Sequence, residues 1–266
     1  MHRRHALGVL GGALVVAGCA AVRARFPGPD VLFVATPEAV SLEMLKMAAV
    51  TADDLVVDLG SGDGRVVIAA ARDFGAHGVG VEIDPKLVNV SRDAALAAGV
   101  GSRVTFLWQD LFVTDLTSAT VVTLYLRDDV NLKLRPKLLR ELPAGTRVVS
   151  HDFDMGDWEP DRVRPVQTRE REHRLYFWVI PAAVGGVWSS RVGDGDGTPL
   201  TLTQTFQKVA GTLGGQAVSG RLLGDRLELV AGRLTLRGVV RGDVIEGEAA
   251  SAGAAPPRWR ANRRID

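Results

Sequence analysis

Residues 55 to 65 read LVVDLGSGDGR, and no other stretch limits the fold as tightly. Leu55, Val56 and Val57 form a short apolar run, and Val66 to Ala71 form a longer one without turn residues. Between them stand Gly60, Gly62 and Gly64, with Asp58 before them and Asp63 among them. A buried parallel strand, a tight turn and a helix start fit this order. The unpaired amides at such a helix start suit a nucleotide-type ligand.

The flanking sequence alternates in the same way. Thr36-Pro37-Glu38 has the order of an N-cap, a proline at the first helical position and an early acid, opening a helix to about residue 50. Strands fit 54–58, 78–82, 103–107, 119–125, 146–151 and about 173–180, and helices fit 63–73, 85–98 and 131–142. Residues 163 to 180 hold two extended runs around the charged turn REREHR, which reads as an antiparallel hairpin at one sheet edge. Residues 30–182 are therefore expected to form an α/β domain, a doubly wound, mostly parallel seven-stranded sheet with helices on both faces. From Gly185 the pattern changes to short period-two runs separated by Gly and Asp-Gly turns. Residues 185–266 are expected to form a small antiparallel β domain, a meander curved into a sheet or barrel, with Trp188 and Trp259 closing its core.

Glu82 lies 22 residues past Gly60, at the end of the next strand, where folds of this kind place an acid on a ribose. Loop and acid together indicate an adenosine ligand, and charge narrows the choice. A pyrophosphate would be repelled by Asp58 and Asp63, and the dinucleotide spacing needs Gly or Ala where Arg65 stands. No Gly-Lys-Ser/Thr follows, which excludes a P-loop. S-adenosylmethionine carries a sulfonium and an ammonium instead of phosphates, so acids on the loop favour it.

The segments VVDLGSGDGR, GVGVEIDP and WQDLF resemble, in order and spacing, the motifs of class I S-adenosylmethionine-dependent methyltransferases. TPEAVSLEML and SHDFDMGDWEPD further resemble the ATP synthase c-subunit lysine methyltransferases and their bacterial relatives. The resemblance implies that Asp58 and Gly60 meet the methionine part of the cofactor, that Ser61 beside them belongs to the cofactor-binding set, and that Gly62 permits close backbone approach. It also implies that Glu82 holds the ribose, that Asp110 and Leu111 meet the adenine, and that Thr36 and Pro37 close over the site. Asp63 reads either as a ligand contact or as a helix N-cap.

Methyl transfer from a sulfonium chiefly requires orientation and exclusion of water. The single cysteine, Cys19, lies in the N-terminal segment, which excludes the thiol nucleophile of cytosine carbon-5 methylation. The Tyr125-Leu126-Arg127-Asp128 turn lacks the Asn/Asp-Pro-Pro-Tyr pattern of base and amide methylation. An amine remains, a protein lysine above all, with Tyr125, His151 and Asp152 as catalytic candidates at strand ends. A protein substrate is the expected partner. A net charge of +1 gives no overall pull toward nucleic acid. His151, Asp152 and Asp154 lack a fourth ligand at sensible spacing, so no metal is expected.

Residues 1–19 have a basic start, an apolar stretch too short to span a bilayer, and a Val-Ala-Gly-Cys ending. This resembles a lipoprotein export signal, implying a membrane-anchored or periplasmic protein with a lipidated Cys19, or a cytoplasmic one if the segment is not processed. The alternative reading is an exported lipoprotein that keeps the methyltransferase fold for binding or scaffolding.

Overall fold

The computed structural model describes residues 34–250 and 256–264. The signal-like segment 1–19 and Cys19 lie outside the described residues. Among the described residues, no helix is long and apolar enough to cross a membrane.

The first domain runs α1 (Glu38–Met47), β1 (Leu55–Leu59), α2 (Arg65–Phe74), β2 (His77–Glu82), α3 (Pro85–Ala97), β3 (Val104–Trp108), β4 (Val121–Leu124), α4 (Asp128–Glu141), β5 (Arg147–His151), β6 (Arg162–Gln167) and β7 (Glu172–Val179). The sheet order is β3-β2-β1-β4-β5-β7-β6. β1 to β5 are parallel, and the β6–β7 hairpin adds β7 antiparallel to β5. The seven strands and the edge hairpin are thus as the sequence implies.

Strand alternation splits the core in two. Val56 of β1 joins the α1–α3 side with Met44, Val67 and Val88, while Val57 and Leu59 face α4 with Leu134, Leu138 and Trp178. The second face carries one helix against three, and the segment after β3, Trp158 and Phe206 cover the rest of it.

Two helix starts differ from expectation. Pro37, in extended conformation, caps α1, and the Thr36 side chain does not cap the helix. α4 begins at Asp128 because Asp128 and Asp129 occupy its first turn, where acids complement the helix dipole. Its buried stripe is Val130, Leu134 and Leu138, while Leu132 is exposed.

The second domain is a closed eight-stranded barrel, β8 (Gly186–Val192), β9 (Thr198–Thr205), β10 (Lys208–Leu213), β11 (Gln216–Leu223), β12 (Arg226–Ala231), β13 (Leu234–Arg241), β14 (Val244–Ala250) and β15 (Arg258–Arg263). β15 pairs with β8 to close it. Its interior is filled by Trp188, Leu200, Leu222, Leu236, Ile245 and Trp259. Strand coiling is tight enough that a Cβ at Gly220 would sit 2.0 Å from the Glu228 carbonyl oxygen, so only glycine fits.

The barrel docks through its β9–β10 turn. Phe206 stacks on Trp158 with centroids 5.8 Å apart. Trp158 Nε1 donates to Gln207 Oε1 at 3.0 Å, and Gln207 Nε2 donates to the Glu159 carbonyl at 2.7 Å. Arg221 pairs with Asp161 beside this contact.

Candidate active site

The loop after β1 is shaped by glycines with positive φ, 78° at Gly60, 55° at Gly62 and 78° at Gly64. A Cβ at Gly64 would lie 2.5 Å from the Phe106 ring, so this turn needs glycine for space as well as for conformation. The Gly60 and Ser61 amides donate to the Val81 carbonyl at 2.9 and 3.0 Å, tying the loop to β2. Glu82 adds a second tie. Its Oε2 accepts from the Gly62 amide at 2.9 Å, and its Oε1 accepts from the Ile83 and Asp84 amides at 2.8 and 2.9 Å. This carboxylate organises the loop and retains capacity for a ligand hydroxyl.

Asp58 is buried next to Glu82 and Asp63, and its Oδ1 accepts from Thr123 Oγ1 at 2.6 Å. Burial pushes its carboxyl up to about 7; the Thr123 bond opposes the rise, and repulsion from Glu82 and Asp63 adds to it.

Above the loop is a cavity of about 240 Å³. Thr36, Asp58, Gly60, Ser61, Asp63, Glu82, Asp110 and Leu111 line it, whereas Pro37 and Gly62 do not. Pro37 serves as the α1 cap, and Gly62 acts through its amide on Glu82. Asp110 Oδ1 accepts from the Phe112 amide at 2.8 Å, which fixes the turn after β3.

Arg65, which the sequence marks only as a departure from the dinucleotide pattern, also lines the cavity. Its Nε donates to Asp63 Oδ1 at 2.9 Å and its Nη1 to the Thr36 carbonyl at 2.9 Å, holding the segment before α1 over the opening. Asp63 therefore faces the cavity with a cationic partner, and its contact with the Arg65 amide is long at 3.4 Å.

The fit to S-adenosylmethionine rests on this lining. Five acids, Asp58, Asp63, Glu82, Asp84 and Asp110, meet one arginine. The Ser61 hydroxyl is buried without a hydrogen-bond partner. Such a surface leaves polar capacity for a ligand and favours a cation over a phosphate.

The rim at the ends of β4 and β5 gathers Tyr125, His151 and Asp152 as expected. The Tyr125 ring lines the cavity and stacks on His151, centroids 3.9 Å apart and planes at 26°. Burial and the Asp152 charge raise the Tyr125 phenol. Burial pushes His151 down to about 4; Asp152 opposes that drop, and His173 and Arg171 reinforce it. His151 is thus neutral at neutral pH and serves as a stacking and hydrogen-bonding partner. Asp152 has φ 62°, in the left-handed region. Burial works upward on its carboxyl, but hydrogen bonds from Arg171 and the Arg174 amide outweigh it and hold the group below the usual carboxylate range.

His173 lies within REREHR, which the sequence marks as the charged turn of the edge hairpin. Arg169 to Glu172 are exposed, but His173 is buried with its Nδ1 2.8 Å from His151 Nε2. The β5–β7 pairing brings it there, and nothing local signals it. Asp154, which the sequence spacing groups with His151 and Asp152, bonds instead to the Gly156 amide at 2.9 Å. His173 takes its place in the cluster.

Comparison with known proteins places the chain in a family. Residues 58–162 match the model of the ANTKMT methyltransferase domain. Over 153 residues the chain is 43% identical to a protein-lysine N-methyltransferase of Saccharolobus islandicus, covering 57% of this chain and 95% of that one. It is 40% identical over 108 residues to the human lysine N-methyltransferase of the ATP synthase c-subunit, covering 41% of this chain and 46% of that one. A crystal structure titled as an RNA methyltransferase of Salinibacter ruber, in complex with S-adenosyl-L-homocysteine, is 53% identical with a TM-score of 0.53, covering 57% of this chain and 96% of that one. With strand order, glycine loop and acid-lined cavity all of one type, the chain belongs to the class I S-adenosylmethionine-dependent methyltransferases, in the family of the protein-lysine N-methyltransferases related to the ATP synthase c-subunit enzymes.

Proposed function

We propose that the methyl group is delivered to the ε-amino group of a lysine in a protein substrate. The observation that carries this reading is the acid-rich cavity with an aromatic wall, Tyr125, at its rim. Phe153 stands 6.1 Å from Tyr125 and lines with it the neighbouring cleft, where the Asp152 carboxylate is paired with Arg171, so the approach offers aromatic surface. Ring faces hold an alkylammonium and shelter its stem. The lysine methyltransferase names of the relatives support the same reading.

Bound S-adenosylmethionine supplies an activated methyl on a sulfonium. The lysine reacts as the neutral amine, its ammonium proton lost to solvent before transfer, and the bond from Arg65 to the Thr36 carbonyl holds the segment before α1 over the site and limits access of water. The direct test uses methyl-labelled S-adenosylmethionine and an extract of the cells that make the protein. Label recovered as methyl-lysine after acid hydrolysis, and resistant to ribonuclease, is expected. Label in RNA would overturn the assignment.

A further inference from the structure

We infer that His151, Asp152 and His173 form a binding site for one divalent transition-metal ion of the zinc class, beside the cofactor cavity and separate from it. His151 Nε2 lies 2.8 Å from His173 Nδ1 and 3.2 Å from Asp152 Oδ2, and His173 Nδ1 lies 3.6 Å from that oxygen. Ligands on one ion at about 2.0–2.1 Å stand roughly 2.8–3.4 Å apart; the 2.8 and 3.2 Å edges fall in that range, and the 3.6 Å edge between His173 and Asp152 closes by a few tenths of an ångström when the ion binds. Two imidazoles and a carboxylate also match the donor preference of zinc and its neighbours.

The far nitrogens supply an independent argument. A ligating histidine uses its second N–H to fix its ring. His151 Nδ1 is 3.3 Å from Thr36 Oγ1, and His173 Nε2 is 3.3 Å from Thr168 Oγ1. Thr168 Oγ1 donates its proton to the Arg171 carbonyl at 2.9 Å and accepts from the Glu170 and Arg171 amides at 3.3 Å, so toward His173 it can act only as a shared acceptor. His173 therefore carries its proton on Nε2 and presents Nδ1 as a lone pair toward His151 and Asp152. Asp152 turns toward both rings through a left-handed backbone and is anchored at Oδ1 by the Arg174 amide at 2.9 Å.

Without an ion, a single proton between the two rings and the Arg171 guanidinium on Asp152 satisfy the cluster. Metal binding through His151 Nε2 moves that proton to Nδ1, where Thr36 Oγ1 accepts it, and releases Arg171, whose side chain is 48% exposed and can turn to water. The ion would pin the β6–β7 turn to β5 directly behind Tyr125.

The test is titration of the full-length protein with Zn²⁺ by calorimetry and with Co²⁺ by visible absorption. Because His2, His5 and Cys19 can also take metal, the reading is the difference between wild type and His173→Ala. One equivalent lost in His173→Ala is expected, with Thr168→Val weakening binding about tenfold and Arg171→Ala tightening it. S-adenosylmethionine binding by each variant serves as the folding control, and His173→Gln replaces any variant that fails it. Equal uptake by wild type and the His173 variants, or weaker uptake by Arg171→Ala, would overturn the site.

Discussion

A carboxyl sealed from water beside two other acids keeps its proton far above the usual range, and Asp58 does so to about pH 7. From about pH 4 to about 7 the folded protein holds a proton there that the unfolded chain has lost, so this residue makes stability fall as pH rises through that window. Asp58→Asn removes the effect. Urea midpoints at pH 4.5 and 7.5 should fall further with rising pH in the wild type than in the variant, and equal slopes would contradict the electrostatic account. Glu82 behaves differently because three backbone amides depend on it. Glu82→Ala is expected to cost about 1–3 kcal/mol for the buried Gly62 amide left unpaired, and to weaken cofactor binding as well. A variant as stable as wild type would show that the loop holds itself.

The elements show where sequence reading succeeds and where it stops. β1, the glycine turn and α2 are legible because apolar runs, glycine spacing and acid placement are all local. Gly64→Ala is expected to destabilise by about 1–3 kcal/mol, combining left-handed strain with overpacking against Phe106. A change below about 0.5 kcal/mol in denaturant unfolding, the usual range for an ordinary surface substitution, would contradict that packing. Thr36 reads as a cap because its pattern is local, while its partner, His151, is 115 residues away. His173 escapes a sequence reading for the same reason, since only the antiparallel register of β7 on β5 buries one member of a charged turn. Arg65 carries a usable signal, because an arginine at the start of a helix in an acid-rich loop needs a partner.

At the scale of the whole molecule the barrel completes the face that α4 covers only in part. The meander is legible from its turns, but its closure and its docking through Gln207 depend on side chains far apart in sequence. Gln207→Ala leaves Trp158 Nε1 and the Glu159 carbonyl without partners in a buried contact. A loss of about 1–3 kcal/mol per unpaired group is expected, and a loss confined to the barrel's own unfolding would mean that the domains are energetically independent. The cofactor cavity is the centre on which loop, rim and barrel-supported face converge, and its preference for a cation is the claim on which the account depends. Calorimetric titration of S-adenosylmethionine into wild type and Asp58→Asn, in two buffers of different ionisation enthalpy at pH 6, tests it most directly. One bound equivalent is expected, with proton release from the wild type that is missing in the variant and affinity at least tenfold weaker in the variant. Equal affinity and equal proton release in the two proteins would contradict it.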